Sequence, residues 1–334
     1  MREKIFMAIL LLAFCASHAP AQAAQLQRRS LAGKLTALAA PHGNKVGIAF
    51  LDLKTGWTFS LNGSREFPAA SVAKVPVMAA AYHLADSGLL DLDQKVLFLE
   101  SDKLGGAGVL QWLKGNRQYS LWNLMRLMIT LSDNTATRLV VNTVGLPAIA
   151  AYVKNIGLKQ TRIIDPTMLV EPPYPNNNLT SPDDLAKVMA MIHNCRGFSK
   201  KSAKQMIAWM NYQRYRWGIW RGVPPGTYVA DKTGQLEGIL NDAGIVYTKK
   251  GNYVLSIFTW GFKKQRDARL LINDISRITY EEYTGEKVRP PTKIAKKKKV
   301  IKRKLSRRPS VKYRQWSGRR GSASGHKSLT SRRR

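Results

Sequence analysis

Cysteine is nearly absent from this chain. Two occur in 334 residues, Cys15 and Cys195, and Cys15 sits in an N-terminal apolar run that a maturing protein would shed. One remaining thiol closes no internal disulfide, so an apolar core has to hold the fold. Cys195 reads as a small buried hydrophobe rather than a nucleophile. Phe14 precedes Cys15 where a lipid-modified cysteine follows a small residue, which excludes a lipoprotein. There is no Cys-x-x-Cys, and the histidines show no metal-ligand spacing, so neither a metal nor another cofactor is expected. No Gly-x-Ser-x-Gly elbow occurs, which argues against an α/β-hydrolase. Gly105-Gly106-Ala107-Gly108 lacks a following Gly-Lys-Ser/Thr and reads as a turn, not a phosphate loop. Acidic residues are missing altogether after Glu286.

What is present begins with charge. Lysine and arginine number 54 against 21 acidic residues, a formal net charge of +33. Much of that excess lies beyond Pro290-Pro291, in Lys296-Lys297-Lys298-Lys299, Arg307-Arg308 and the closing Arg332-Arg333-Arg334. Such a run is expected to be solvated and disordered. On an exported protein it would meet anionic lipid or envelope polymers; nucleic acid is not an expected partner. At the other end, Arg2 and Lys4 precede the apolar run Ile5 to Phe14 and the small residues Ala19-Pro20-Ala21 and Ala21-Gln22-Ala23. That order is the pattern of a secretory signal, and the run is too short for a membrane anchor. Three segments follow: a signal peptide over 1–24, a globular domain over 25–286 and a basic tail over 287–334. A monomer in the periplasm, outside the cell or on the envelope is expected.

Within the globular part, strand patterns lie at both ends. Residues 30–41 fit an amphipathic helix, then Val46 to Leu53 and Trp57 to Leu61 form a hairpin across Lys54-Thr55-Gly56. From Ser87 to about Tyr215 the pattern is mainly helical. Strand patterns return at Tyr228 to Thr233, Ala243 to Thr248 and Tyr253 to Trp260, and Asp267 to Tyr283 closes as a helix. The fold class is therefore α+β, in three α/β/α layers. One antiparallel sheet draws on both chain ends (25–70 and 216–286), and a helical part (71–215) is inserted between them.

Three short motifs carry the chemistry. Ser71-Val72-Ala73-Lys74 opens an apolar helix, with Pro76 in its first turn. A serine needs an adjacent base to become a nucleophile, and Lys74 lies one turn away on the same face. A second Ser-x-x-Lys, Ser324 to Lys327, falls in the tail. Ser132-Asp133-Asn134 lies between two helical stretches, and Lys232-Thr233-Gly234 ends a strand pattern.

In that order and those settings, the three motifs resemble the class A serine β-lactamases and penicillin-binding proteins. The resemblance runs from about Gln25 to Gly285, through "LMITLSDNTATRLV" and "DKTGQLEGILNDAGIVY". It implies a β-lactamase/transpeptidase-like fold and an acyl-enzyme on Ser71. It makes Lys74 the base or proton relay and Ser132 the donor to the leaving nitrogen. Asn134 would hold the substrate amide, Lys232 and Thr233 its carboxylate, and the amides of Ser71 and Gln235 the oxyanion. Deacylation falls to Glu171, in Glu171-Pro172, or to Asp165. Three functions stay open: a β-lactamase, a D-alanyl-D-alanine peptidase acting on peptidoglycan stem peptides, or a non-catalytic envelope-binding protein.

Overall fold

Strand β1 (Val46–Asp52) is buried on both faces, because Val-Gly-Ile-Ala-Phe-Leu-Asp offers an apolar residue to either side. It lies inside a five-stranded antiparallel sheet of order β2-β1-β9-β8-β7. The computed structural model describes residues 22–167 and 178–288. β2 (Thr58–Leu61) returns along one side of β1, and β9 (Asn252–Trp260) pairs along the other. β8 (Ile239–Tyr247) and β7 (Val229–Leu236) complete the sheet. The sheet is thus built from both chain ends. Lys54-Thr55-Gly56 closes the β1–β2 hairpin, with Gly56 at φ +75° and Asp52 Oδ1 accepting from Lys54 N at 2.9 Å.

Helices cover both faces. Leu31 and Leu35 of α1 (residues 22–39) and Leu271, Ile272 and Ile275 of α8 (Gln265–Thr284) pack on one face around Ile48, Leu255 and Ile257. The other face carries α2 (Lys74–Asp86), whose residues from Lys74 through Tyr82 are all buried. A helix apolar all round belongs in the interior. α2 is surrounded by α3 (Leu121–Thr130), α4 (Asn134–Val144), α5 (Leu146–Asn155), α6 (Pro182–His193) and α7 (Lys200–Asn211). Ser120, Asp133, Ser181 and Ser199 cap α3, α4, α6 and α7, each accepting the backbone amide three residues on.

Four element expectations change. α1 is longer than 30–41. The stretch taken as mainly helical holds a hairpin of β4 (Lys95–Phe98) and β5 (Arg117–Ser120). A two-stranded ladder, β3 (Phe67–Pro68) with β6 (Leu179–Thr180), sits just before Ser71. β7 continues through Gly234 to Leu236, so Lys232-Thr233-Gly234 lies inside a strand rather than at its end. Cys195 is free and half-buried against the core. The expected signal and tail lie outside the described residues except at their inner ends.

Candidate active site

Ser71 sits in a tight 3-10 turn, Ala70–Ala73, that runs straight into α2 at Lys74. The turn is pinned from three sides. Ala69 N donates to Asn178 O at 2.8 Å. Asn241 of β8 donates its amide to Pro68 O at 2.9 Å. Gly234 of β7 passes so close that a Cβ there would stand 3.1 Å from Ser71 N and 3.1 Å from Ala70 Cβ. A side chain there would press on the turn, and the close approach sets the Ser71 amide beside the strand segment that bears Gln235. Ala70 holds φ +47° to make the bend.

Lys74 is fully buried, and its amine has three partners. It donates to Ser132 O at 2.7 Å and to Asn134 Oδ1 at 2.9 Å, and it lies 3.1 Å from Ser132 Oγ. Burial holds its pKa well below the ordinary lysine value, the nearby charge of Lys232 lowers it further, and Asp133 opposes the shift. A neutral amine with a free lone pair can accept a proton.

Lys232 reaches the same hydroxyl from the sheet. Its amine stands 3.2 Å from Ser132 Oγ and donates to Thr233 O at 2.7 Å. Burial brings its pKa down to about 8, against the charges of Asp231 and Asp242. Ser132 therefore stands between two buried amines. Its backbone is in the left-handed region at φ +53°, a conformation that costs a serine about 1–3 kcal/mol and concentrates at functional sites.

The α4 N-terminus fixes the far wall. Asp133 Oδ1 accepts from Ala136 N at 2.9 Å, and its Oδ2 accepts from Val109 N at 2.7 Å and Leu110 N at 2.9 Å. Asn134 donates to Gly105 O at 2.9 Å and, from its backbone, to Ala107 O at 3.0 Å. Gly105 to Gly108 is thus a side of the cleft, tied to the Ser-Asp-Asn motif. Gly108 adopts φ +108°, and a Cβ there would overlap the Asp133 carboxyl.

The cleft so formed has a volume of about 280 Å³ and is lined by Ser71, Gly106, Ser132, Thr233 and Gln235, with Tyr215 and Trp217. Tyr215 and Trp217 were not anticipated, nor was Gln213. Gln213 is buried; its Oε1 accepts from Thr233 N at 3.2 Å and Thr233 Oγ1 at 3.0 Å, and its Nε2 donates to Asp231 O at 3.0 Å. A larger groove of about 560 Å³ lies between β2 and α6 and contains none of the motif residues. Asp165 is not among the residues lining the cleft. Its Oδ1 accepts from Thr167 N at 2.8 Å and its Oδ2 from Thr167 Oγ1 at 2.6 Å. Glu171 lies outside the described residues.

A half-buried serine, two buried lysines and a second serine at the edge of an antiparallel sheet make the frame of a serine hydrolase. The chain belongs to the β-lactamase enzyme family, whose model matches residues 30–283. It is similar to the β-lactamase of Sphaerobacter thermophilus at 32% identity, over 78% of this chain and 98% of that one, with a TM-score of 0.71. It is similar to PBP-A at 28% identity, over 77% of this chain and 97% of that one, with a TM-score of 0.71. An ancestral class A β-lactamase matches at 26% identity, over 75% of this chain and 99% of that one, with a TM-score of 0.69. A variant of PBP-A is known as an acyl-enzyme complex with penicillin G.

Proposed function

We propose that this protein is an exported serine hydrolase that opens β-lactam rings through an acyl-enzyme on Ser71. The observation that carries the reading is the Lys74 amine, fully buried and shared between Ser132 and Asn134 at the mouth of the Ser71 turn. Lys74 takes the Ser71 proton while Ser71 Oγ bonds to the lactam carbonyl carbon. The amides of Ser71 and Gln235 receive the oxyanion. As the tetrahedral centre collapses, the ring C–N bond breaks and Ser132 gives its proton to the departing nitrogen; the proton on Lys74 then restores Ser132. Lys232 and Thr233 bind the substrate carboxylate, and Asn134 binds its side-chain amide. Water hydrolyses the ester with Glu171 or Asp165 as base. The N-terminal segment carries the export signal, and the basic tail retains the enzyme at anionic envelope surfaces.

A second reading, a D-alanyl-D-alanine peptidase, draws on one observation. Asp165 is not among the residues lining the cleft, and each of its carboxylate oxygens already accepts from Thr167, which leaves Glu171 as the remaining base and a long-lived acyl-enzyme if Glu171 does not serve. Mixing the purified protein with a chromogenic cephalosporin, while following colour and intact mass, tests both. Turnover that disappears in Ser71→Ala supports the lactamase. A lasting covalent adduct supports the peptidase, and neither colour nor adduct overturns both.

A further inference from the structure

Strands β7 and β8 bury two carboxyls next to Lys232. In their ladder Asp231 pairs with Gly244 and Thr233 with Asp242. Asp231 and Asp242 are therefore diagonal neighbours on one face of the sheet, and Lys232 points from the other. Asp231 is 2% exposed and Asp242 0%. The space around them is closed: a Cβ at Gly244 would stand 2.6 Å from Asp231 Cβ, and one at Gly218 would stand 2.0 Å from Asp242 Oδ2.

Their oxygens do not balance as two carboxylates. Asp242 Oδ2 accepts from Ile219 N at 2.7 Å. Asp242 Oδ1 and Asp231 Oδ2 are buried and have no hydrogen-bond donor among the described residues. The diagonal register sets the two carboxyls side by side on that one face. A buried acceptor without a donor is costly, and two adjacent buried anions more so. One proton between the two removes both penalties. Lys232 and Arg216 are the cations that act on the pair.

We propose that Asp231 and Asp242 form a one-proton acid pair, a positioning element that presents a single buried negative charge to Lys232 and keeps its ammonium seated at Ser132. The direction of titration agrees: burial pushes both carboxyls up, and the charge of Asp231 pushes Asp242 further. The inference deepens the proposed function, because Lys232 binds the substrate carboxylate in that reading. Its first test is independent of that activity.

Infrared difference spectroscopy of the wild-type protein at neutral pH is expected to show a buried carboxylic-acid C=O band that is lost in Asp231→Asn and in Asp242→Asn. Each single amide donates to the surviving carboxylate and preserves the single charge, so Lys232 is expected to keep its titration by ¹⁵N NMR. Asp231→Asn/Asp242→Asn removes the charge. It is expected to lower the Lys232 pKa by about one unit and raise KM about tenfold, with kcat less affected. No such band in the wild type, or a band that survives both single variants, overturns the proposal even if the double variant fails to fold.

Discussion

The Lys74 amine lies 2.7 Å from Ser132 O and 3.1 Å from Ser132 Oγ, so one residue grips the lysine by both its backbone and its side chain. The backbone contact exists because Ser132 adopts φ +53°. A glycine holds that conformation without strain. Ser132→Gly is therefore expected to keep or slightly raise the melting temperature while slowing acylation by about 10²-fold or more through loss of the proton donor. Thermal unfolding and single-turnover acylation, measured side by side, check it. Equal losses in both would mean that the hydroxyl serves only the fold.

Lys74→Arg separates charge from basicity. Arginine stays protonated under all working conditions. It is expected to slow acylation of Ser71 by about 10²–10⁴-fold, as Lys74→Ala does, because neither accepts a proton. Adduct formation with penicillin G, timed by intact mass, gives the rate. An arginine variant that acylates at the wild-type rate rules out Lys74 as the base.

The two lysines predict a bell-shaped pH profile for kcat/KM. In the proposed mechanism Lys74 works neutral, so activity is expected to fall as acid protonates it; burial and Lys232 move that limb well below the ordinary lysine range. In the same mechanism Lys232 works as a cation, so substrate binding is expected to fall as pH rises through about 8. Stability follows the opposite sign at the alkaline end. Lys232 binds its proton less well folded than unfolded, where its ordinary value is 10.5, so its burial penalty is relieved and its contribution to stability rises as pH climbs from about 8 towards 10.5. A kcat/KM plateau extending past pH 10 would contradict the assignment of Lys232.

The legible parts of this site were those written locally. Ser71 and Lys74 share one turn of chain, so spacing alone placed them on one face, and Ser132 to Asn134 sit together at one helix start. Gln213, Tyr215 and Trp217 join them only because the segment after α7 folds back along β7, and nothing in their own neighbourhood signals it. β7 was cut short for a different reason. Gly-Gln after Thr233 looks like the end of a strand, yet β7 runs on through Gly234 and Gln235 to Leu236; pairing with β8 overrides propensity. The β4–β5 hairpin escaped because both strands are four residues long and mostly exposed, leaving a weak period-two pattern.

Asp133 supports the site from behind by satisfying three backbone amides, of Val109, Leu110 and Ala136. Asp133→Ala leaves all three without a side-chain partner. The cap alone is worth about 0.5–2 kcal/mol, and the wall from Gly105 to Gly108 loses its tether to α4. The variant is expected to be destabilised by about 2 kcal/mol or more and to show weakened substrate affinity, because Asn134 is set by the same turn. Denaturant unfolding and KM measure the two effects. A stability loss with an unchanged KM would detach the glycine wall from substrate binding.

Release of Ser71 is the step for which two carboxylates compete. Asp165 places both oxygens on Thr167, and its backbone amide donates to Asn178 Oδ1 at 3.0 Å. Asn178 in turn holds Ala69, two residues before the nucleophile. Such a carboxylate organises the chain, and it is not among the residues that line the cleft. Asp165→Asn is thus expected to lower stability by about 1 kcal/mol, the scale of one lost hydrogen bond, and to leave the lifetime of the acyl-enzyme within about threefold. Glu171→Gln is expected to lengthen that lifetime by about 10²–10⁴-fold while acylation continues, since only the general base of the second step is removed. Mass spectrometry of the penicillin G adduct over time decides between them. A long-lived adduct in Asp165→Asn with normal release in Glu171→Gln would reverse the roles. An adduct equally persistent in the wild type would mean that neither carboxylate activates water, and would place the enzyme with the peptidases.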